Sequence, residues 1–141
     1  WGVISEVTGQ SVMNERSYAA IKTLQTAQQF GNLKAVVWHQ GETDAASGVS
    51  GANYASVLTD FYNVIRRHVG NVPIITIALH DEPPSGYLTW NDIQTAQKAF
   101  TYPNHTVVSA EGKEAQSGNE THLSATGLID LGGDIADAIT A

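Results

Sequence analysis

The chain has no cysteine, a single methionine and four prolines in 141 residues. Without cysteine there are no disulfides, no thiolate metal ligands and no cysteine nucleophile, and the redox compartment cannot be read from the sequence. Positive charge is also scarce. Seven Lys and Arg stand against fourteen Asp and Glu for a net charge of -7, and the basic residues do not cluster, so nothing here fits nucleic acid or an anionic membrane surface. No apolar run approaches the roughly 18 residues of a membrane span, and no charged-then-apolar leader opens the chain. The first residue is Trp1 rather than an initiator methionine, and residues preceding it in the gene product are expected. The five histidines, His39, His68, His80, His105 and His122, never fall at H-E-x-x-H or similar spacing, which argues against a zinc site. No P-loop or G-x-G-x-x-G fingerprint points to a nucleotide. No cofactor and no metal are therefore expected.

What is present suits one domain. At 42% hydrophobic, residues 1–141 are enough to bury a sizeable core. Short apolar runs alternate with helical patterns, predicting βαβ units around a mostly parallel sheet. Strands are predicted at Val3 to Val7, Leu33 to Trp38, Pro73 to Leu79 and Thr106 to Ser109. Tyr18, Ile21, Leu24, Ala27 and Phe30 mark a first helical face stopped by Gly31, and Tyr54, Val57, Leu58, Phe61, Val64 and Ile65 a second, closed by Gly70-Asn71. Thr43 to Gly51 reads as a loop. A third helix runs around Trp90, Ile93, Ala96, Gln97 and Phe100 with Thr89 as its cap. A last helix carries Leu128, Leu131, Ile135 and Ile139, with Gly132-Gly133 costing about 1 kcal/mol per glycine relative to Ala and inviting a bend.

The most informative stretch is Trp38-His39-Gln40-Gly41-Glu42-Thr43-Asp44, which follows an apolar strand directly. Loops at the carboxyl ends of buried strands are where open α/β sheets hold ligands. A second polar cluster, Asn119-Glu120-Thr121-His122, offers an imidazole to the same chemistry. The Gln40 amide can donate to a developing oxyanion, or it can tie the loop to neighbouring groups. His122 can serve as general base and then general acid, or it can cap a helix. Glu42 and Asp44 read as braces for the loop, with Asp44 near a helix start. Together these clusters point to hydrolytic chemistry.

The same residues carry a family resemblance. Trp38 to Asp44 resembles the W-x-Q-G-E-x-D block of the sialate O-acetylesterase and carbohydrate esterase family 6 group, within the SGNH hydrolase superfamily. His122-Leu123-Ser124-Ala125-Thr126-Gly127 is similar to that group's final block, in which the catalytic histidine opens an H-L-S-A-x-G run. The resemblance extends through the tyrosine-bearing helix and Ile65-Arg66-Arg67, from Val3 onward. It implies a three-layer α/β/α sandwich with a mostly parallel sheet, SGNH- or flavodoxin-like, acting as a metal-independent serine esterase on O-acetylated sugars. In that reading Gln40 and Gly9 contribute to the oxyanion hole and His122 is the base. An acetylated saccharide is the partner, neither nucleic acid nor membrane is engaged, and an extracellular or periplasmic location is favoured. Oligomeric state is left open.

The nucleophile has two readings. Family members carry it in an early G-Q-S-N block after the first strand, with a separate glycine block ahead of W-x-Q-G-E. Here one segment, Val7-Thr8-Gly9-Gln10-Ser11-Val12-Met13, stands for both. In the first reading Gly9-Gln10-Ser11 matches the early block, Val3 to Val7 takes the central place in the sheet and Ser11 is the nucleophile, with Val12 replacing the asparagine. In the second, Gly9 belongs to the glycine block, and the family's N-terminal strand and nucleophile lie outside this chain. Spacing to the Trp38 block favours the second; the need to pair every central strand favours the first. Ser11 also fits a simple turn or N-cap hydroxyl.

The family's triad aspartate, three residues before the histidine, is replaced here by Asn119. An asparagine orients an imidazole without stabilising the imidazolium, a change worth about four orders of magnitude in serine proteases. Glu120 and Glu111 are candidates to compensate. Two other functions stay open at this stage: a glycosidase pairing Glu42 with Asp81 or Glu82, and a noncatalytic carbohydrate-binding or structural domain. Tyr87, Trp90 and Tyr102 could stack on sugars, although Trp90 falls on the apolar helix face.

Overall fold

Ile74-Ile75-Thr76-Ile77-Ala78 is an unbroken apolar run but for one threonine, and a strand of that composition needs cover on both faces. In the computed structural model it is β4 (Ile74–Ala78), every residue of it buried. The structure describes the backbone of residues 5–7, 10–12 and 15–141, and side chains from residue 15 onward except that of Arg16. The first elements are β1 (Ser5–Val7), β2 (Gln10–Val12), α1 (Glu15–Gln28), β3 (Val36–His39), α2 (Glu42–Ala46) and α3 (Gly51–Val69). After β4 come α4 (Trp90–Ala99), β5 (His105–Ser109), β6 (Ala115–Gln116), β7 (Asn119–Leu123) and α5 (Ala125–Thr140). β4 lies between β3 and β5 and is parallel to both, with Val36 opposite Ile74 and Ile74 opposite His105.

The pleat of β4 sorts the core into two halves. Ile74 and Thr76 face α3 and α4, with α1 behind, in a cluster that includes Ile21, Tyr54, Leu58, Tyr62, Ile65, Trp90 and Ile93. The Tyr62 hydroxyl reaches the Thr76 hydroxyl at 2.6 Å, and Thr76 continues to His105 Nε2 at 2.7 Å, which satisfies the one polar side chain of the central strand. Ile75 and Ile77 face the opposite side, packing with Val108, Leu123 and Leu131 beneath α5. Helix, sheet and helix make the three-layer α/β/α sandwich. At the other end of the strands the Arg66 guanidinium donates to the carbonyls of Val72, Pro103 (2.7 Å) and Asn104 (3.0 Å), fastening the approaches to β4 and β5.

Several boundaries differ from the sequence expectation. The predicted first strand is present in part as β1, but it pairs antiparallel with β2, Val7 opposite Gln10, instead of entering the parallel sheet. Only two residues, Thr8 and Gly9, separate the pair. A connection that short permits a hairpin and not the long crossover that parallel pairing requires. Ser5 to Val7, the described part of the predicted strand, therefore does not take the central place; Val3 and Ile4 lie outside the described residues. Phe30 lies beyond the end of α1 and is exposed. Part of the predicted loop after Glu42 is the short helix α2. Thr89 makes no capping bond to α4; its hydroxyl donates to the Ala45 carbonyl at 3.3 Å. Gly70 closes α3 with φ +91, as a C-terminal glycine should.

The H-L-S-A-T-G run has a structural explanation. Ser124 caps α5, its Oγ accepting the Gly127 N–H at 3.1 Å and donating to the Glu114 carboxylate at 2.7 Å, while its own N–H donates to the Glu114 carbonyl. Gly127 lies so close to Glu114 that a Cβ there would stand 2.3 Å from the Glu114 carbonyl oxygen. Gly132 and Gly133, in contrast, face open space within an uninterrupted helix. Replacing glycine by alanine in α5 should thus have opposite signs. Gly132→Ala should stabilise by up to about 1 kcal/mol, whereas Gly127→Ala should destabilise by about 1–3 kcal/mol. Equal shifts in denaturant midpoint for the two variants would contradict the close approach.

Candidate active site

β3 and β4 end side by side, and the chain places a histidine at each end: His39 is the last residue of β3 and His80 follows β4 by two residues. A cavity of about 330 Å³ opens there, within the range of small-molecule sites. His39, Glu42 and His80 form one wall, and Gln116, Thr121, His122 and Leu123 of the β6–β7 hairpin, with Leu128 of α5, form the other. Three imidazoles and one carboxylate thus share a single space.

The strand ends are fixed from α4. Trp90, Gln94 and Gln97 recur at helical spacing on one buried face. The Trp90 indole N–H donates to the His80 carbonyl at 2.8 Å, the Gln94 amide to the Leu79 carbonyl at 2.7 Å, and the Leu79 N–H to Gln97 Oε1 at 2.9 Å. Gln97 Nε2 also donates to the Gln40 carbonyl at 2.7 Å, which accepts a second bond from the Tyr54 hydroxyl at 2.8 Å. Burial pushes the Tyr54 phenol up to about 12, so it remains a donor at any working pH. Gly41 has φ +148, and a Cβ there would meet Gln97 Nε2 at 2.8 Å. That close approach accounts for the glycine after Gln40.

Each candidate residue has a definite place. His122 and Glu42 line the cavity. Glu42 Oε1 stands 3.9 Å from His39 Nε2. The Gln40 side-chain amide donates to the Asp44 carboxylate, which puts Asp44 in the first turn of α2 as a brace for the loop. Asn119 is exposed, its backbone paired with Gln116 at the hairpin turn. Glu120 accepts the Gly118 N–H at 3.3 Å, and Glu111 forms an ion pair with Lys98 at 2.8 Å. Among the described residues no carboxylate accepts a hydrogen bond from His122. Gly9 and the Ser11 side chain lie outside the described residues; the Ser11 backbone sits in β2 opposite Glu6. Asp81 accepts the Gly112 N–H at 3.0 Å, a bond that holds its carboxyl below the usual range, and neither Asp81 nor Glu82 lines the cavity beside Glu42. Trp90 is core, and Tyr87 donates or accepts at Thr121 Oγ1, 3.0 Å away.

Similarity to known proteins agrees with this geometry. Residues 4–141 match the family model described as carbohydrate esterase, sialic acid-specific acetylesterase. The chain belongs to that family. The domain is 28% identical over 110 residues to a probable carbohydrate esterase of Arabidopsis thaliana, At4g34215, covering 77% of this chain and 40% of that protein. The X-ray structure of the Arabidopsis protein superimposes with a TM-score of 0.78 at 25% identity, over 90% of this chain and 52% of the solved one. The esterase-family domain thus spans about half the length of the relatives it matches, and it shares the fold of the solved Arabidopsis protein.

His39 and His80 were not singled out by sequence reasoning as site residues. His39 occupies the variable position of W-x-Q-G-E, and His80 opens a loop at a strand's carboxyl end, the one signal that could have found it. Burial, the largest influence, holds the His39 imidazole below its ordinary value; the Glu42 carboxylate opposes this, and His80 and His122 add to it. A free imidazole titrates at about 6.5. As pH falls, the unfolded chain takes up this proton before the folded one, so the His39 contribution to stability drops from about pH 6.5 down to the folded value and rises with pH through that window. Ring-proton NMR should show the His39 midpoint below about 6.5, and lower still in Glu42→Gln. A midpoint that rises in that variant would contradict the electrostatic arrangement.

Proposed function

We propose that this domain acts as a serine esterase releasing acetate from O-acetylated carbohydrates, with His122 as general base and Ser11 as nucleophile. The observation that carries the reading is the position of His122, the histidine opening the family's final block, on the wall of a cavity at the strand ends that display the Trp38 block. Ser11 Oγ attacks the acetyl carbonyl as His122 accepts its proton, forming a tetrahedral oxyanion. The intermediate collapses, the sugar oxygen leaves with the proton held by His122, and an acetyl-serine remains. Water, deprotonated by His122, attacks that ester, releasing acetate and restoring serine.

Gln40 and Gly9 supply oxyanion donors in this scheme. A primary amide has two N–H groups; Asp44 takes one from Gln40, orienting the other. Orientation of His122 is assigned to Glu120 in preference to Asn119, because residues two apart on a strand share a face and residues three apart do not. Glu42 and Asp44 support the loop. The whole scheme needs an acetylated saccharide and no cofactor.

A second reading, in which the nucleophile is supplied by a segment outside these residues, is supported by the antiparallel β1–β2 hairpin. It keeps the Gln10-Ser11-Val12 strand out of the parallel sheet at whose strand ends His122 lies. Incubation with a fluorophosphonate, followed by peptide mass spectrometry, distinguishes the two. The proposal predicts an adduct on Ser11 that is absent in His122→Ala, together with loss of acetate release in that variant. No adduct on Ser11 would overturn its role as nucleophile, and undiminished acetate release by His122→Ala would overturn the esterase scheme itself.

A further inference from the structure

We propose that His80 is a catalytic residue of this esterase, its Nε2–H donating to the acetyl carbonyl oxygen of the ester as that oxygen becomes an oxyanion. The inference rests on the esterase reading and adds a donor that the family motifs do not assign. His80 Nδ1 accepts the backbone N–H of Glu82 at 3.2 Å. A ring nitrogen that accepts carries no proton, so the imidazole proton is on Nε2. That Nε2 is buried with no hydrogen-bond partner among the described residues, in a residue only 2% exposed that lines the cavity.

An unpaired buried donor is destabilising, and the surroundings prevent it from finding another partner. The Trp90 ring stands 4.9 Å from the imidazole, its indole N–H holds the His80 carbonyl, and the Gln94 and Gln97 amides hold the peptide groups of Leu79 just before it. The ring can neither swing into solvent nor change tautomer without breaking the Glu82 bond. Such a group is preorganised for a ligand oxygen.

The chemistry of the donor selects which oxygen. A neutral N–H is a hydrogen-bond donor that does not compete with His122 for the transferred proton, and a neutral imidazole with a fixed tautomer is a known way to polarise a carbonyl. Because the donor is withdrawn from bulk water, a slender acetyl group suits it better than a sugar ring. His80 follows β4, the strand paired with β3, and so stands in the cavity beside His39 and Glu42 at the end of that neighbouring strand.

His80→Phe removes the donor while keeping an aromatic ring against Trp90. The proposal predicts that kcat falls about 100–1,000-fold for glucose pentaacetate and for p-nitrophenyl acetate alike, with KM little changed, since both esters share the acetyl carbonyl. A loss confined to KM, a loss seen on the sugar ester alone, or unchanged turnover would overturn it. If the variant fails to fold, nitrogen NMR of the wild-type imidazole decides. Methylboronic acid, which forms a tetrahedral anion at an activated serine, should move the Nε2–H proton of His80 downfield, and an unmoved resonance would overturn the assignment. Absence of acetate release by the wild-type protein from either ester would overturn the esterase reading along with it, whereas an active wild type with an equally active His80→Phe overturns this inference alone.

Discussion

Gln97 is fully buried, and its carboxamide bonds in three directions: it accepts from the Leu79 N–H and donates to the Gln40 carbonyl and the Tyr54 hydroxyl. Leu79 lies just past the paired residues of β4 and Gln40 just past those of β3, where the sheet no longer satisfies the backbone. A strand that leaves its ladder inside a core exposes groups that cost about 1–3 kcal/mol each if unpaired. One side chain of α4 answers this for both strands at once. Gln94 and Trp90, further along the same face, do the same for the Leu79 and His80 carbonyls. The cavity opens where these two neighbouring strand ends are tied to one helix behind them.

Function follows from what those ends carry. Holding Gln40 by its carbonyl leaves its amide to Asp44 and the loop, fixes Gly41 against Gln97, and sets Glu42 beside His39. Holding Leu79 and His80 by their peptide groups orients the His80 ring, with Nδ1 on Glu82 and Nε2 unpaired. Across the space, the β6–β7 hairpin presents His122, and its position depends in turn on the Ser124, Glu114 and Gly127 contacts that seat α5. His122 and His80, the proposed base and donor, therefore come from separate packing units that meet at the cavity. Motifs far apart in the chain answer to one geometry for this reason.

Much of this was legible in the residues. The apolar run Ile74 to Ala78, the helical spacing from Tyr54 to Ile65 and the glycine at position 70 marked a buried strand and the helix before it, because burial and chain reversal leave few choices there; that this strand is the middle one was not legible. The Trp38 and His122 blocks were legible as polar segments at a strand end and before a capped helix, and His39, Glu42 and His122 line one cavity. The β6–β7 hairpin was not legible: Asn119 to His122 has no apolar alternation, and it forms around Gly118, whose φ of +75 is a conformational signal invisible to hydropathy. The clamp was hidden for a related reason. Gln94 and Gln97 are polar residues on a buried face, which a periodicity argument discounts, and their partners are backbone groups more than a dozen residues away. The first strand failed because its pairing is decided by the two-residue connection after it and not by its composition.

Amide hydrogen exchange at Leu79 tests the clamp most directly. Its N–H donates to a side chain outside any backbone ladder, so the account predicts strong protection in the native protein. In Gln97→Leu, the Leu79 amide should exchange quickly while the amides of Ile75 and Ile77 within β4 keep their protection. Protection of Leu79 that survives the loss of Gln97 would show that the strand ends, and the cavity between them, are held by something else.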